Sequence, residues 1–94
     1  MVWTMRNAAE TVRRGVRMNA TNPGPVRTAL MDAIDPLLPE GMMEKVAGPM
    51  GRYTIPEEQV EPLFFLGSGA ALAVNGVVLP VDGGQEGLLA SMEI

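Results

Sequence analysis

Arg17-Met18-Asn19-Ala20-Thr21-Asn22-Pro23-Gly24-Pro25-Val26-Arg27-Thr28 is the stretch that decides the fold. Val16, Met18 and Ala20 alternate with Arg17, Asn19 and Thr21, the period-two signature of a strand over 16–21. Pro23-Gly24-Pro25 then stops both helix and sheet. A hydroxyl, Thr28, stands four residues past Gly24. Far downstream a second apolar run over 77–82 ends in Val81-Asp82-Gly83-Gly84.

The stretches around these two strands read as helical. Val2, Met5, Ala8, Ala9 and Val12 recur at helical spacing, and Gly15 closes that segment. No cap residue precedes it, so 1–14 is expected to be the end of a longer helix. Thr28 to Ile34 and Pro39 to Ala47 predict two short helices, stopped by Asp35-Pro36 and by Gly48-Pro49. Pro56-Glu57-Glu58 opens a further helix over 56–67, with acids at the positive end of its dipole. Pro62 lies inside it and predicts a kink or an early break. Ala70 to Asn75 reads as a helical turn and 85–94 as a tail.

The resulting order is α/β: two parallel strands and about four helices. Parallel strands need neighbours and cover on both faces. Two of them make an incomplete domain, and apolar faces are expected to remain exposed. Pro80, within the second strand, predicts a sheet edge.

Ninety-four residues hold one small domain, and 47% apolar content with 19% charged residues excludes general disorder. A net charge of −4 argues against nucleic acid and anionic membranes as partners. Arg6, Arg13, Arg14 and Arg17 read as a solvated helix face. The chain has no Cys and no His, which removes disulfides, thiolate nucleophiles, imidazole bases and the usual zinc sites. No secretory leader or membrane-spanning run is legible, so a cytoplasmic setting is expected.

Ligands of open parallel sheets sit beyond the carboxyl ends of the strands. Residues 22–28 occupy that position. Pro23 fixes its backbone, Gly24 allows a close approach, and Thr28 both donates and accepts. A flat amide would suit such a turn, although on spacing alone a Pro-Gly after a strand is usually just a structural turn. Asp32 and Asp35 read as helix-end residues rather than a catalytic pair, and Glu57 and Glu58 as dipole partners. Met42 and Met43 suit either an apolar substrate pocket or plain packing.

Gly15-Val16-Arg17-Met18-Asn19 running into Pro23-Gly24 and Thr28, then Pro56-Glu57-Glu58, Phe65-Leu66, Gly76 and Val81-Asp82-Gly83-Gly84, resembles the C-terminal part of the short-chain dehydrogenase/reductase family. The resemblance implies part of a Rossmann-like, doubly wound parallel sheet and NAD or NADP as cofactor. It implies backbone contacts to the nicotinamide from Pro23, Gly24 and Val26, and a bond from Thr28 to the carboxamide. It makes 29–50 a substrate lid carrying Met31, Met42 and Met43, and 56–67 and 77–82 the last helix and strand, with a dimer surface. The implied partners are the remaining N-terminal part of the fold or a full-length homologue, in a homo-oligomer.

The family's Gly-rich phosphate turn and its Tyr and Lys four residues apart have no counterpart here. The sole Tyr is Tyr53 and the sole Lys is Lys45. No catalytic or metal-ligating residue is therefore assigned. The chain is expected to bind the cofactor weakly and to be inactive alone. A module that pairs with a homologue, or a truncated product without activity, is the alternative.

Overall fold

The computed structural model describes residues 2–92. Helix α1 spans Val2–Thr11 and tightens into a 3₁₀ turn, Val12–Arg14. Gly15, at φ 79°, closes it. The amides of Gly15 and Val16 donate to the carbonyls of Val12 and Thr11, at 3.0 and 3.1 Å. This double bond pattern around a left-handed glycine satisfies the orphan carbonyls of a helix end.

Strand β1 is Ala20–Pro23, displaced from the 16–21 expected. Residues 16–19 find other partners. The Met18 amide donates to Asn75 Oδ1 at 2.9 Å, and the Met18 carbonyl accepts from the Gly76 amide at 2.9 Å. Asn19 bridges the Val74 carbonyl and the Val77 amide. The alternating pattern therefore marks a segment held by a loop for half its length and by a strand for the rest.

Helix α2 (Ala29–Ile34) and α3 (Met42–Ala47) follow, each continued or trailed by a 3₁₀ turn, Asp35–Leu37 and Gly48–Met50. Helix α4 is Pro56–Leu66 and passes Pro62 without the expected break. The Glu58 carboxylate reaches back to the Ile55 amide at 2.9 Å and holds its first turn. Strand β2 is Val78–Val81, and helix α5, Gln85–Met92, occupies most of the segment expected to be a tail; residues 93–94 lie outside the described residues. There are five α-helices among the described residues rather than about four, and α4 is not the last of them.

β1 and β2 pair in parallel, Ala20 with Val78 through Pro23 with Val81. In this register Ala20 and Asn22 face β2, so Thr21 and Pro23 face outward; Val78 and Pro80 do the same on the other side. Each strand's proline thus directs its lacking N–H away from the ladder, which is how four-residue strands tolerate one.

The core is small. Its buried apolar residues are Ala8, Ala47, Tyr53, Leu66 and Ala71, and three of these are alanines. Of the expected α1 stripe only Ala8 is buried; Val2, Met5 and Val12 are about half exposed. The radius of gyration is 16.0 Å, against about 12 Å for a compact chain of this length. A two-stranded sheet with uncovered faces is the physical reason: the apolar surface on α1, α4 and α5 has too little sheet to cover.

Candidate functional site at the strand ends

β1 and β2 both end at one edge, and an open groove of about 370 Å³ lies there. It is lined by Asn22, Pro23, Gly24 and Pro25 after β1, and by Asp82, Gln85, Glu86 and Leu89 after β2. This is the carboxyl edge of a parallel sheet, where such folds bind ligands. The Gly24 amide donates to the Val81 carbonyl at 3.0 Å, which continues the ladder one residue past β1. Gly24 packs so closely on Asp82 that a Cβ there would lie 2.8 Å from Asp82 Cα.

The next residues are fixed by Tyr53-Thr54. The Thr54 amide and hydroxyl both donate to the Pro25 carbonyl, at 2.9 and 2.8 Å, and the Arg27 amide donates to the Thr54 carbonyl at 2.7 Å. In this bridge Thr54 uses its own backbone groups while Val26 does not. The Val26 N–H and C=O therefore have no hydrogen-bond partner among the described residues. Gln59, on α4, locks the arrangement by donating to Thr54 Oγ1 at 2.9 Å and to the Val81 carbonyl at 2.8 Å. Thr54 and Gln59 carry no motif signal at sequence level; their role comes from the fold alone.

Thr28 caps α2, its Oγ1 accepting from the Met31 amide at 3.2 Å. Its hydroxyl proton stays free to donate. Of the four residues expected at the cofactor, Pro23 and Gly24 line the groove, and Val26 and Thr28 continue the same turn outside it.

The three methionines of the expected lid separate. Met31 lies on α2, Met42 is exposed, and Met43 lines a second cleft of about 230 Å³ with Arg27, Ala47 and Tyr53. The Tyr53 hydroxyl donates to Met43 Sδ at 2.7 Å. Burial pushes the Tyr53 phenol up, and the Asp35 charge adds to the effect. Arg52 is committed elsewhere: its two terminal nitrogens grip the Glu58 carboxylate at 2.7 and 2.8 Å. That hydrogen bond, followed by the one from the Ile55 amide, holds the Glu58 carboxyl down to about 2.

On the far side of the groove Asp82 works as a cap. Its Oδ1 accepts from the Gly84 amide at 3.0 Å and its Oδ2 from the Glu86 amide at 2.9 Å. Asp82 followed three residues later by Gln85 has the spacing of a helix start, a signal that would have located α5. Arg17, expected on a solvated face, instead donates to the carbonyls of Leu66 and Val74, at 2.8 and 3.1 Å, and fastens the end of α4. No cluster of three or more metal-ligating side chains occurs, and no helix is long and apolar enough to cross a membrane, among the described residues.

The family model described as enoyl-(acyl carrier protein) reductase matches residues 2–86. FixR of Bradyrhizobium diazoefficiens is 37% identical over 83 residues, which are 87% of this chain and 28% of that protein. The 3-oxoacyl-[acyl-carrier-protein] reductase FabG of Rickettsia prowazekii is 33% identical, over 81% of this chain and 31% of its own. The cis-4-hydroxycyclohexanecarboxylate dehydrogenase of Sinomonas cyclohexanicum is 42% identical, over 84% and 31%.

Among solved structures, one from Agrobacterium tumefaciens provisionally assigned as a 2-deoxy-d-gluconate 3-dehydrogenase, with bound NADP, superposes with a TM-score of 0.78 at 30% identity, over 90% of this chain and 35% of that one. One from Beutenbergia cavernae provisionally assigned as a gluconate 5-dehydrogenase, with NADP at low occupancy, gives 0.76 at 39% identity, over 90% and 34%. The chain spans about a third of the length of the curated relatives it matches. Its α/β fold is accordingly part of a Rossmann-like domain, and by the family match and these relatives the chain belongs to the short-chain dehydrogenase/reductase family.

Proposed function

We propose that this chain is the nicotinamide-carboxamide contact, substrate-lid and oligomerisation portion of an NAD(P)-dependent oxidoreductase acting on an alcohol or carbonyl. One observation carries the reading. The Val26 N–H and C=O, left free by the bridge to Thr54, offer a donor and an acceptor on one residue, the complement of a primary amide. Pro23 and Gly24 bring bare backbone to the same turn, and the Thr28 hydroxyl stands ready to donate after its cap bond. The residues thus fit a nicotinamide carboxamide. That cofactor, when bound, supplies or takes up hydride. The role of this chain is to hold the amide end and exclude water. In this reading residues 22–28 form the cofactor turn, and 29–50 the lid, with Met31, Met42 and Met43 on it. Two of the relatives are by name a 3-oxoacyl-[acyl-carrier-protein] reductase and a cis-4-hydroxycyclohexanecarboxylate dehydrogenase, which supports an alcohol or carbonyl substrate.

With Tyr53 as the sole Tyr and Lys45 as the sole Lys, not four residues apart, this chain holds no proton donor for a carbonyl. It is therefore inactive alone and binds the dinucleotide weakly. The test is titration of the purified chain with NADPH, followed by amide NMR, beside an assay of carbonyl reduction. Shifts at Gly24, Val26 and Thr28 without turnover support the reading. Silence at those amides overturns the contact, and robust turnover overturns the inactivity.

A second reading, a module that pairs with the rest of the fold or with a full-length homologue, is favoured by α4. Leu63, Phe64 and Phe65 are 51%, 69% and 47% exposed, an apolar concentration that soluble surfaces seldom leave open. Light scattering after gel filtration decides: a strict monomer at high concentration counts against it.

A further inference from the structure

Arg27 and Glu44 line one cleft and do not pair with each other. The cleft, of about 230 Å³, lies against α3 and shares no lining residue with the strand-end groove. Pockets for drug-sized ligands hold about 300–1,000 Å³, so this one suits a smaller molecule.

Both charges are available. Arg27 meets Asp32 through one nitrogen at 3.3 Å, with both side chains more than half exposed. Such a pair is worth little and gives way to a better partner. Arg52, the other cation at the cleft, is spent on Glu58. Glu44 is exposed and has no ion pair among the described residues. Met43 and Ala47, on the same helix, add apolar surface.

Tyr53 supplies a third polar group. It is only 6% exposed, and its hydroxyl donates to the Met43 thioether at 2.7 Å. A thioether sulfur is a weak acceptor. A carboxylate is a much stronger one. Burial pushes the phenol up, so it remains a donor at neutral pH.

We propose that this cleft is a second ligand site, for a small aliphatic α-amino acid. The carboxylate takes the Arg27 guanidinium and the Tyr53 hydroxyl, the ammonium takes Glu44, and the side chain rests on Met43 and Ala47. An acid without the ammonium brings its charge toward an unanswered Glu44. An amine without the carboxylate leaves Tyr53 on sulfur and Arg27 on Asp32. The site uses none of the groups assigned to the nicotinamide and stands independently of that reading.

The experiment is an amide NMR titration of the full chain at neutral pH with leucine, isocaproate, which lacks the ammonium, and isoamylamine, which lacks the carboxylate. Leucine is expected to shift the amides of Met43, Ala47 and Tyr53, with each analogue at least about tenfold weaker. Glu44→Gln should lower leucine to the level of isocaproate, and Arg27→Gln to the level of isoamylamine. Both side chains are exposed, so the rest of the spectrum should stay native. An analogue that binds as tightly as leucine, or a preference for leucine that survives Glu44→Gln, overturns the proposal. So does silence at Met43, Ala47 and Tyr53, or shifts at Gly24 and Leu89 in their place, which would move leucine to the strand-end groove.

Discussion

Gly24 and Asp82 touch backbone to backbone across the carboxyl ends of the two strands: a Cβ on Gly24 would sit 2.8 Å from Asp82 Cα and 3.0 Å from Asp82 Cβ. Neither position can retreat, because each continues a paired strand. The groove owes its floor to this contact.

Gly24→Ala is therefore expected to push β1 and β2 apart at that end. The overpacking cost is about 1–3 kcal/mol, read as a lower urea midpoint, with shifts at Asp82 and Gly84 in the amide spectrum.

Asp82→Ala removes both acceptors of the turn that starts α5, the partners of the Gly84 and Glu86 amides. A lost cap costs about 0.5–2 kcal/mol. Helical circular dichroism should fall by an amount matching α5, with the rest of the chain intact. Asp82→Asn, which keeps one acceptor, should fall between the two.

Arg17→Ala takes the charged donor from the Leu66 and Val74 carbonyls, of which Val74 keeps its bond from the Asn19 side-chain amide. Partly buried groups stripped of a charged partner cost about 1–3 kcal/mol. The expected result is faster amide exchange at the end of α4, with Arg17→Lys only partly restoring it because the compact ammonium is more strongly hydrated than a guanidinium and gives up water less readily.

Glu58 gives the acid limb of the stability profile. Its carboxyl is held down to about 2 in the folded chain, from 4.5 as a free side chain, by Arg52 first and the Ile55 amide second. A depressed carboxyl stabilises above its unfolded value and loses that contribution as pH falls through the folded one. Stability should therefore decline between about pH 4.5 and 2, and Glu58→Gln should flatten that limb. Carboxyl titration by NMR checks the midpoint directly; one near 4.5 would contradict the Arg52 pairing.

The two strands and their parallel sense were legible because Pro, Gly and period-two alternation act locally, although β1 runs through Asn22 and Pro23, which had been expected to stop it. Gly15 was legible as a helix end for the same reason, and it takes up the left-handed conformation. Helix α5 was hidden behind Gly83-Gly84 and Gly87, which read as breakers; its Asp82 cap belongs by position to a strand end. Arg17 read as a surface cation because its partners are 49 and 57 residues away.

The sequence by itself determined the class of fold, the incompleteness of a two-stranded sheet and the family to which the motifs point. All of these follow from residue pattern and backbone chemistry over short spans. Only the tertiary structure decided which groups are spoken for and which are free. Thr54 bridges the turn and leaves the Val26 amide open, Gln59 locks Thr54, and Arg17 fastens the end of α4. Those assignments depend on contacts between distant segments, and hydrogen-bond partners at such separations leave no periodicity to read.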